Sequence, residues 1–366
     1  MTARSRKAAK EAAPDDIWCG QVVRPGECRT VDLRVSQTYS GAEIHIPVVV
    51  WRGHAPGPTV AVTGAVHGDE INGTGAIRRL IMKPPFKLLA GTLVLVPVVN
   101  IFGFERFTRY LPDRRDLNRC FPGSVRGSLA SRLARTFFDA VIRRSDYAID
   151  LHSAAVRRTN FPNIRANMTI EPQAAFARAF GAELIISSRG PAGSLRAASE
   201  TIGCHTMILE AGEVWKVEPA VLAYAIRGIQ NCLAHLNMID NTPVAPAYRI
   251  ETDATQWLRA NRGGFLVFHV GPGDIVARGQ AIATNTDLVG NTLNVIKAPR
   301  EGVVVGLTTL PSVAPGDPIC HLAYVRSGEL PRVQRKVDRL GADALHERAR
   351  DDLAKNVNVT AVEPTS

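Results

Sequence analysis

A continuous run of β-branched and small residues from Pro58 to Val66 constrains the fold of this chain more than any other feature. An apolar run without alternation predicts a strand that is covered on both faces, as in a parallel sheet between helices. The run ends at His67-Gly-Asp-Glu70, and a second run, from Tyr147, ends at Asp150-Leu-His152. Open α/β sheets place their sites at the carboxyl ends of strands, so we expect the two motifs to meet there.

Two histidines and one carboxylate from these motifs match the ligand set of a catalytic zinc. Zinc takes imidazole nitrogen and carboxylate oxygen at roughly 2 Å, and a catalytic site keeps one position for water. We therefore predict one zinc per chain, held by His67, Glu70 and His152. Asp150 either orients a histidine ligand or caps a nearby loop, and Asp69 either lies behind the ligands or faces solvent.

The composition is that of an ordinary globular protein, with 45% hydrophobic and 21% charged residues, so the chain can bury a core. No apolar stretch has the length of a membrane span, and the first residues lack the core of a secretion signal. Scattered cysteines without a paired motif favour a reduced, cytoplasmic protein. The net charge of +10 comes from dispersed arginines without a nucleic-acid-binding motif, so neither nucleic acid nor membrane is an expected partner.

Predicted strands and helices alternate as far as residue 245, which favours an α/β fold with a mixed sheet flanked by helices. The predicted strands cover residues 31–35, 44–50, 58–66, 92–99, 147–151, 184–186 and 206–209, and the predicted helices cover 71–82, 128–143, 172–180 and 219–236. Beyond Pro243, short strands and glycine turns predict a small β barrel. The predicted organisation is a disordered tail at 1–14, a catalytic domain at 15–245 with N-terminal strands at 17–51, a barrel at 246–325, and a charged tail at 326–366 with a solvated helix near 342–353.

Five motifs follow one another over roughly residues 45–215: His67-Gly-Asp-Glu70, Thr108-Arg-Tyr110, Asp116-Leu-Asn-Arg119 with Phe121-Pro-Gly123, Asp150-Leu-His152 and Leu209-Glu-Ala-Gly212. Their order resembles that of the succinylglutamate desuccinylase/aspartoacylase family, which belongs to the zinc carboxypeptidase-like superfamily. The chain is most similar to the bacterial deacylase branch that includes N-acetyl-diaminobutyrate deacetylases. The resemblance implies a zinc carboxypeptidase-like fold, with zinc on His67, Glu70 and His152.

The resemblance also implies two catalytic residues. Glu210 would take a proton from the attacking water and deliver it to the leaving amine, although Glu213 is a rival. Arg109 would polarise the scissile carbonyl. Two more residues separate Arg109 from Asn118 than in aspartoacylase, and three other arginines therefore remain open for this role: Arg106, Arg114 and Arg115.

Substrate binding is implied for three further residues. Asn118 and Arg119 match the pair that clamps a substrate carboxylate in the family, and a planar guanidinium suits two-point binding of that group. Arg158 follows the third zinc ligand closely and is a candidate to bind the acyl or the amino acid portion.

The C-terminal segment from 264 to 322 is similar to a biotinyl/lipoyl barrel in its turns, such as Val270-Gly-Pro-Gly-Asp274. Lys297 does not lie at the position of the modified lysine in that family, so we expect no swinging arm. Three roles remain open for the barrel: covering the catalytic domain, shaping the mouth of the site, or contacting another copy of the chain.

These observations predict a zinc-dependent amidohydrolase that removes an N-acetyl or N-succinyl group from an amino acid or a related small molecule. A zinc carboxypeptidase acting on peptides or polyglutamate is the first alternative, and an inactive binding protein is the second. The sequence leaves the acyl group, the amine and a homo-oligomeric state open, because specificity depends on loop contacts that one sequence does not position.

Overall fold

The computed structural model describes residues 16–38, 40–326, 328–341, 344–357 and 359–360, so the tail predicted at 1–14 lies outside the described residues. The helices are α1 (Asn72–Met82), α2 (Ile101–Phe104), α3 (Leu129–Ala140), α4 (Glu171–Ala179), α5 (Leu195–Glu200), α6 (Pro219–His235), α7 (Leu330–Val337) and α8 (Leu345–Ala354). The strands are β1 (Ile17–Trp18), β2 (Gln21–Val22), β3 (Cys28–Gln37), β4 (Glu43–Arg52), β5 (Ala55–Gly64), β6 (Ala90–Val96), β7 (Tyr147–His152), β8 (Arg158–Ala166), β9 (Leu184–Ser187), β10 (His205–Gly212), β11 (Ile250–Thr252), β12 (Thr255–Arg259), β13 (Gly264–Phe268), β14 (Ile275–Val276), β15 (Ala281–Thr286), β16 (Thr292–Lys297), β17 (Gly302–Thr308), β18 (Ser312–Val313) and β19 (Pro318–Tyr324).

A large mixed sheet forms the centre of the molecule, in the strand order β12-β19-β17-β8-β10-β7-β5-β6-β4-β3. The predicted mixed α/β fold is therefore confirmed. Strands β5, β7 and β10 are parallel neighbours, and β6 is parallel to β5 on its other side. Their carboxyl ends consequently lie at one edge of the sheet, as the two polar motifs predicted.

The sheet is covered on both faces, which explains the apolar runs in the sequence. In β5, Val60 and Val62 belong to a core cluster with α1 and α6, whereas Ala61 belongs to a second cluster with α3 on the other face. Since side chains alternate between the faces of a strand, every position of such a strand is apolar. Within the described part of the chain, no helix combines the length and the apolar character needed to cross a membrane.

Strand β8 joins the two halves of the large sheet, and the sequence did not predict it. It is antiparallel to β10, its first residues pair with β17, and its last residues pair with β9. Pro162 and the polar residues around it remove the alternation that marks a strand. Only the pairing with strands on both sides makes this segment extended.

The barrel predicted at 246–325 is not closed. Strands β13, β15, β16 and β18 form an open four-stranded sheet, whereas β12, β17 and β19 continue the large sheet beyond β8. Pairing of β17 with β8 takes up the edge that closure of a barrel would need. The residue boundaries of the domains remain predictions.

The C-terminal helix α8 is not the solvated helix that its charged residues indicated. His346, Ala349 and Leu353 are buried, and Leu353 belongs to the main core cluster. These positions lie three and four residues apart and so share one face of the helix. The charged side chains occupy the other positions, where Arg350 forms ion pairs with Glu347 and Asp274.

Shortening Leu353 to alanine is expected to lower the free energy of unfolding by about 2–5 kcal/mol, because the change leaves a cavity in the main core. The matched control is Leu288→Ala, since Leu288 is 92% exposed, and we expect it to change stability by less than about 0.5 kcal/mol. Denaturant unfolding of the full chain measures both values. Equal effects of the two substitutions would show that α8 does not belong to the core.

Candidate active site

The edge formed by the carboxyl ends of the central strands carries a cavity of about 280 Å³. His67 and Glu70 follow β5, whereas His152 ends β7 and pairs in register with Glu210 of β10. The loop after β6 contributes residues 109–119, and β8 begins at the same edge. All eight residues singled out from the sequence line this cavity: His67, Glu70, Arg109, Asn118, Arg119, His152, Arg158 and Glu210.

His67, Glu70 and His152 form a buried cluster in which one ligand atom from each residue lies within 4.8 Å of the others. His67 Nδ1 is 2.6 Å from Glu70 Oε1, and His152 Nδ1 is 2.8 Å from Glu70 Oε2. The backbone N–H of Ser153 also donates to Glu70 Oε2, at 3.1 Å. Each carboxylate oxygen thus lies next to an imidazole nitrogen, and Glu70 Oε2 also accepts a backbone hydrogen bond.

Two further carboxylates orient the histidine rings. Asp150 Oδ2 is 2.7 Å from His152 Nε2, so Asp150 contacts the histidine rather than capping a loop. Asp116 Oδ1 is 3.1 Å from His67 Nε2. A histidine that donates Nε2–H to a carboxylate presents the lone pair of Nδ1, the arrangement usual for metal-binding histidines. Both Nδ1 atoms then face carboxylate oxygens, which favours a cation among them, and the donor set therefore fits zinc.

The electrostatics of the cluster favour the charged form of each group. Burial alone would lower the pKa of His67 and His152, but the adjoining carboxylates outweigh it and raise both pKa values. For Glu70, burial would raise the pKa, but the two imidazoles hold it well below its usual range. Burial would also raise the pKa of Asp116, but His67 and Arg109 outweigh this effect and hold the pKa of Asp116 below its usual range.

Asp69 is only 2% exposed, so the solvent-facing alternative was wrong. Among the described residues, its Oδ1 has no hydrogen-bond partner. Burial, with a contribution from Glu70, raises the pKa of its carboxyl group. The backbone of Asp69 accepts a hydrogen bond from the N–H of Trp215, which ties the ligand loop to the segment after β10.

The turn that carries His67 and Glu70 depends on the close contact between the backbones of Gly68 and Gly103. A Cβ at Gly68 would lie 2.0 Å from the carbonyl carbon of Gly103, so only glycine allows the two backbones to touch. Asn100 N–H also donates to the carbonyl of Ala65, which has a φ of 48°. The loop after β5 is therefore fixed against the loop after β6, which carries Arg109.

Arg109 is anchored beside the cluster by three hydrogen bonds. Its Nη1 donates to Glu70 Oε1 at 3.1 Å, and its Nη2 and Nε donate to Asp116 Oδ2 at 3.0 and 3.3 Å. A guanidinium has five N–H groups, which leaves two for a ligand. The three alternative arginines are exposed and do not line the cavity: Arg106, Arg114 and Arg115.

Asn118 is positioned by the N-terminal end of α5. Its side-chain oxygen accepts a hydrogen bond from the backbone N–H of Leu195, at 2.8 Å, which leaves the amide nitrogen for a ligand. Arg119 Nη1 donates to the carbonyl of Asn118 at 2.7 Å. The two neighbouring residues therefore present donors to the same cavity.

Glu210 is the carboxylate of β10 that reaches the cavity. Asn160 Nδ2 donates to its Oε2 at 3.2 Å, and Arg165 Nη1 is 3.8 Å from its Oε1. The rival Glu213 does not line the cavity. It is held instead by Lys216 at 2.5 Å and by the hydroxyl of Thr309 at 2.7 Å.

The sequence did not predict several of the residues that line the cavity. Arg165 and Asn160 lie on β8, Arg196 lies on α5, and Trp257 and His321 lie on β12 and β19. His321 is buried and lines the cavity. No local signal marks these residues. Trp257 and His321 reach the site because β17 pairs with β8 and carries β19 and β12 with it.

Residues 56–236 match the family model described as the succinylglutamate desuccinylase/aspartoacylase catalytic domain. The chain is 30% identical over 297 residues to the N-alpha-acetyl-L-2,4-diaminobutyric acid deacetylase of Halomonas elongata. The match covers 77% of this chain and 86% of that relative. The chain belongs to the succinylglutamate desuccinylase/aspartoacylase family. It is a member of a deacylase family and has a relative that deacetylates N-acetyl-diaminobutyrate.

Solved structures of the family have the same fold. The succinylglutamate desuccinylase/aspartoacylase from Rhodobacter sphaeroides is 26% identical with a TM-score of 0.71, and the match covers 82% of this chain and 97% of that one. The ectoine utilization protein EutE (DoeB) from Ruegeria pomeroyi, solved with product bound, is 24% identical with a TM-score of 0.72. That match covers 83% of this chain and 97% of the other, and at this identity it supports the fold alone.

Replacing His321 by phenylalanine is expected to reduce the loss of stability on acidification. Burial, with Arg165 and Arg158 nearby, lowers the pKa of His321 from 6.5 to about 4. Between these values the unfolded chain binds the proton and the folded chain does not, so the free energy of unfolding falls with the pH, by up to about 3 kcal/mol for this group. Phenylalanine keeps an aromatic ring next to Trp257 and removes the proton-binding nitrogen.

Denaturant unfolding at both ends of this pH window measures the difference. The control variant is His235→Phe, which removes an exposed histidine and should behave as the unmodified chain does. An acid-induced loss that is the same in the His321→Phe protein would contradict the prediction.

Proposed function

We propose that this protein is a zinc-dependent deacylase that hydrolyses the amide bond of a small N-acylated amino acid. The observation that carries the proposal is the buried cluster of His67, Glu70 and His152 in one cavity with Glu210 and Arg109. Membership of a deacylase family supports the reaction class. The residues that would hold zinc are the three members of the cluster, one ion per chain.

Zinc, when bound, would polarise the acyl carbonyl and make a water molecule acidic near neutral pH. Glu210 would act as the base that takes the proton from the attacking water. Its position next to His152 in the strand register supports this role, since a base must lie within hydrogen-bond reach of the group that it deprotonates. Asn160 would hold one oxygen of Glu210 and leave the other for the proton.

The same proton would then pass from Glu210 to the leaving amine, as the bond between the carbonyl carbon and nitrogen breaks. Arg109 would donate its two remaining N–H groups to the carbonyl oxygen while negative charge develops there. Loss of one such donor typically raises the barrier by about 3 kcal/mol. The anchoring of Arg109 by Asp116 and Glu70 supports this role because a fixed donor needs no reorganisation during the reaction.

Asn118 and Arg119 would bind the carboxylate of the amino acid. The amide nitrogen of Asn118 and the guanidinium of Arg119 are both hydrogen-bond donors, which favours an anionic group as their ligand. A planar guanidinium can bind a carboxylate through two hydrogen bonds. The volume of about 280 Å³ favours a small molecule over a peptide or polyglutamate. An inactive binding protein would need a missing ligand or base, and each of these residue types is present in the cavity.

The protein as purified is expected to contain one zinc per chain. Replacing His152 by alanine removes a ligand and should abolish stoichiometric binding. Asp150→Asn keeps the ligand and weakens its orientation, because Asp150 contacts His152 and accepts a hydrogen bond from Thr63, so we expect affinity to fall about 10–100-fold. Metal analysis after dialysis measures both, with His235→Ala as the exposed control. Full zinc content in the His152→Ala protein would refute the assigned ligands.

Replacing Glu210 by glutamine should lower kcat about 10²–10⁴-fold, because the amide cannot accept the proton. Zinc content should stay at one per chain, since Glu210 is not a ligand. The matched control is Glu213→Gln, which alters a neighbouring carboxylate outside the cavity. Release of free amino acid from N-acetyl and N-succinyl amino acids measures turnover, and full activity of Glu210→Gln would exclude the proposed base.

A further inference from the structure

A buried carboxylate beside the active site has no part in the proposed reaction. Glu218 directly precedes α6, is 8% exposed and does not line the cavity. Its side chain makes no hydrogen bond that would cap α6. A buried carboxylate is costly unless hydrogen-bond donors replace its hydration, so the partners of Glu218 indicate its role.

The partners of Glu218 come from three separate parts of the chain. Its Oε2 accepts hydrogen bonds from Asn72 Nδ2 at 3.0 Å and from the backbone N–H of Glu213 at 2.9 Å. Its Oε1 accepts a hydrogen bond from Asn356 Nδ2 at 2.7 Å. The backbone N–H of Glu218 donates in turn to Asn72 Oδ1 at 2.8 Å. One side chain therefore joins the start of α1, the segment after β10 and the segment after α8.

Asn72 connects this carboxylate to the proposed zinc ligands. It lies two residues after Glu70, at the start of α1, and is 2% exposed. Its Nδ2 also donates to Ser153 Oγ at 3.2 Å, and Ser153 directly follows His152. The backbone N–H of Ser153 donates to Glu70 Oε2 at 3.1 Å. Asn72 consequently links the loop after β5 to the end of β7.

The strand that carries the proposed base is held at the same point. Gly212 ends β10, two residues after Glu210, with a φ of 75°. A Cβ at Gly212 would lie 2.0 Å from Glu218 Oε2, so only glycine allows the carboxylate to approach this backbone. The carbonyl of Gly212 also accepts a hydrogen bond from the N–H of Ala154, at 3.0 Å. The ends of β7 and β10 thus meet beside Glu218.

Asn356 extends the network to the C-terminal segment. It follows α8, whose Leu353 belongs to the main core cluster. Besides its bond to Glu218, its Nδ2 donates to the hydroxyl of Thr159 at 3.4 Å, and its Oδ1 accepts a hydrogen bond from Lys216 Nζ at 2.9 Å. Docking of α8 therefore positions one of the donors that hold Glu218.

We propose that Glu218 is a positioning residue that couples the docked C-terminal segment to the zinc ligands and the base. The inference rests on the proposed function, since it concerns the geometry of the same site. Glu218 fixes Asn72 and the backbone after β10, and through them the spacing between the ligands and the base. Catalysis depends steeply on such spacing, since a misplacement of about 1 Å can lower the rate about 100-fold. Asn356 acts through Glu218, so α8 contributes to a site whose cavity it does not line.

Replacing Glu218 by glutamine in the full-length chain tests the proposal. The amide places an NH₂ group where a carboxylate oxygen accepts hydrogen bonds, so the network must shift. We expect kcat for N-acetyl or N-succinyl amino acids to fall about 10–100-fold. Zinc affinity, measured by competition with a chelator, should fall about 10-fold. KM should stay within about twofold, because the groups proposed to bind the substrate carboxylate lie outside the network.

The matched control is Glu183→Gln, which alters a similarly buried carboxylate outside the cavity, where it accepts a hydrogen bond from Tyr224. We expect this change to lower the free energy of unfolding as Glu218→Gln does, and to leave zinc affinity and kcat unchanged. Denaturant unfolding shows that both variants are folded. An equal loss of kcat and zinc affinity in the two variants would show that Glu218 has only a structural role.

Asn356→Ala tests the connection to the C-terminal segment, with Lys355→Ala as the control at the neighbouring, exposed residue. Loss of one donor to a buried carboxylate should lower kcat about 3–10-fold, whereas the control should have no effect. The double variant Glu218→Gln/Asn356→Ala should match Glu218→Gln alone, because two residues that act through one contact are not additive. Additive losses would overturn the coupling. Asn356→Ala decides the matter by itself if Glu218→Gln does not fold.

The two readouts separate this inference from the function on which it rests. If the unmodified chain binds zinc and hydrolyses no N-acyl amino acid, the deacylase function is contradicted, and a loss of zinc affinity in Glu218→Gln would still support the positioning role. Unchanged kcat and zinc affinity in Glu218→Gln would overturn the positioning role and leave the deacylase function intact. A chain that binds no zinc would overturn both.

Discussion

The rest of the site depends on the contacts of the Glu70 carboxylate with two buried imidazoles, those of His67 and His152. A carboxylate without partners would be costly in this environment, because burial removes its hydration. Each oxygen instead faces an imidazole nitrogen, and the N–H groups of Ser153 and Arg109 donate hydrogen bonds to the carboxylate. Three separate loops must therefore converge within hydrogen-bond distance of one side chain. The parallel order of β6, β5, β7 and β10 brings these loops to one edge of the sheet.

The carboxylates behind the cluster extend this constraint to the surrounding elements. Asp150 connects His152 to Thr63 of β5, and Asp116 connects His67 to Arg109. Each connection joins segments that are distant in sequence, so a shift of one loop would disturb both a histidine and its partner. Networks of this kind orient metal ligands and fix the tautomer of each ring. The same network holds Arg109 next to the position proposed for the reacting carbonyl.

The C-terminal strands contribute side chains to the cavity. Strand β8 receives β17 along its first residues, and this pairing carries β19 and β12 into the large sheet. His321 and Trp257 then line the same cavity as the proposed base and the proposed zinc ligands, which come from the central parallel strands. Of the roles left open for the C-terminal segment, shaping the mouth of the site is the one that these contacts support.

The sequence by itself determined the central strands, the helices that cover them and the polar residues at the strand ends. These features depend on local patterns, since a strand that is buried on both faces needs apolar residues at every position, as in 58–66. Tertiary structure alone decided that the predicted barrel stays open, that β8 is a strand and that α8 is part of the core. It also decided the positions of Arg165, Arg196, Trp257 and His321 in the cavity. Strand register and helix docking depend on contacts between residues far apart in the chain, and no local pattern of side chains specifies those contacts.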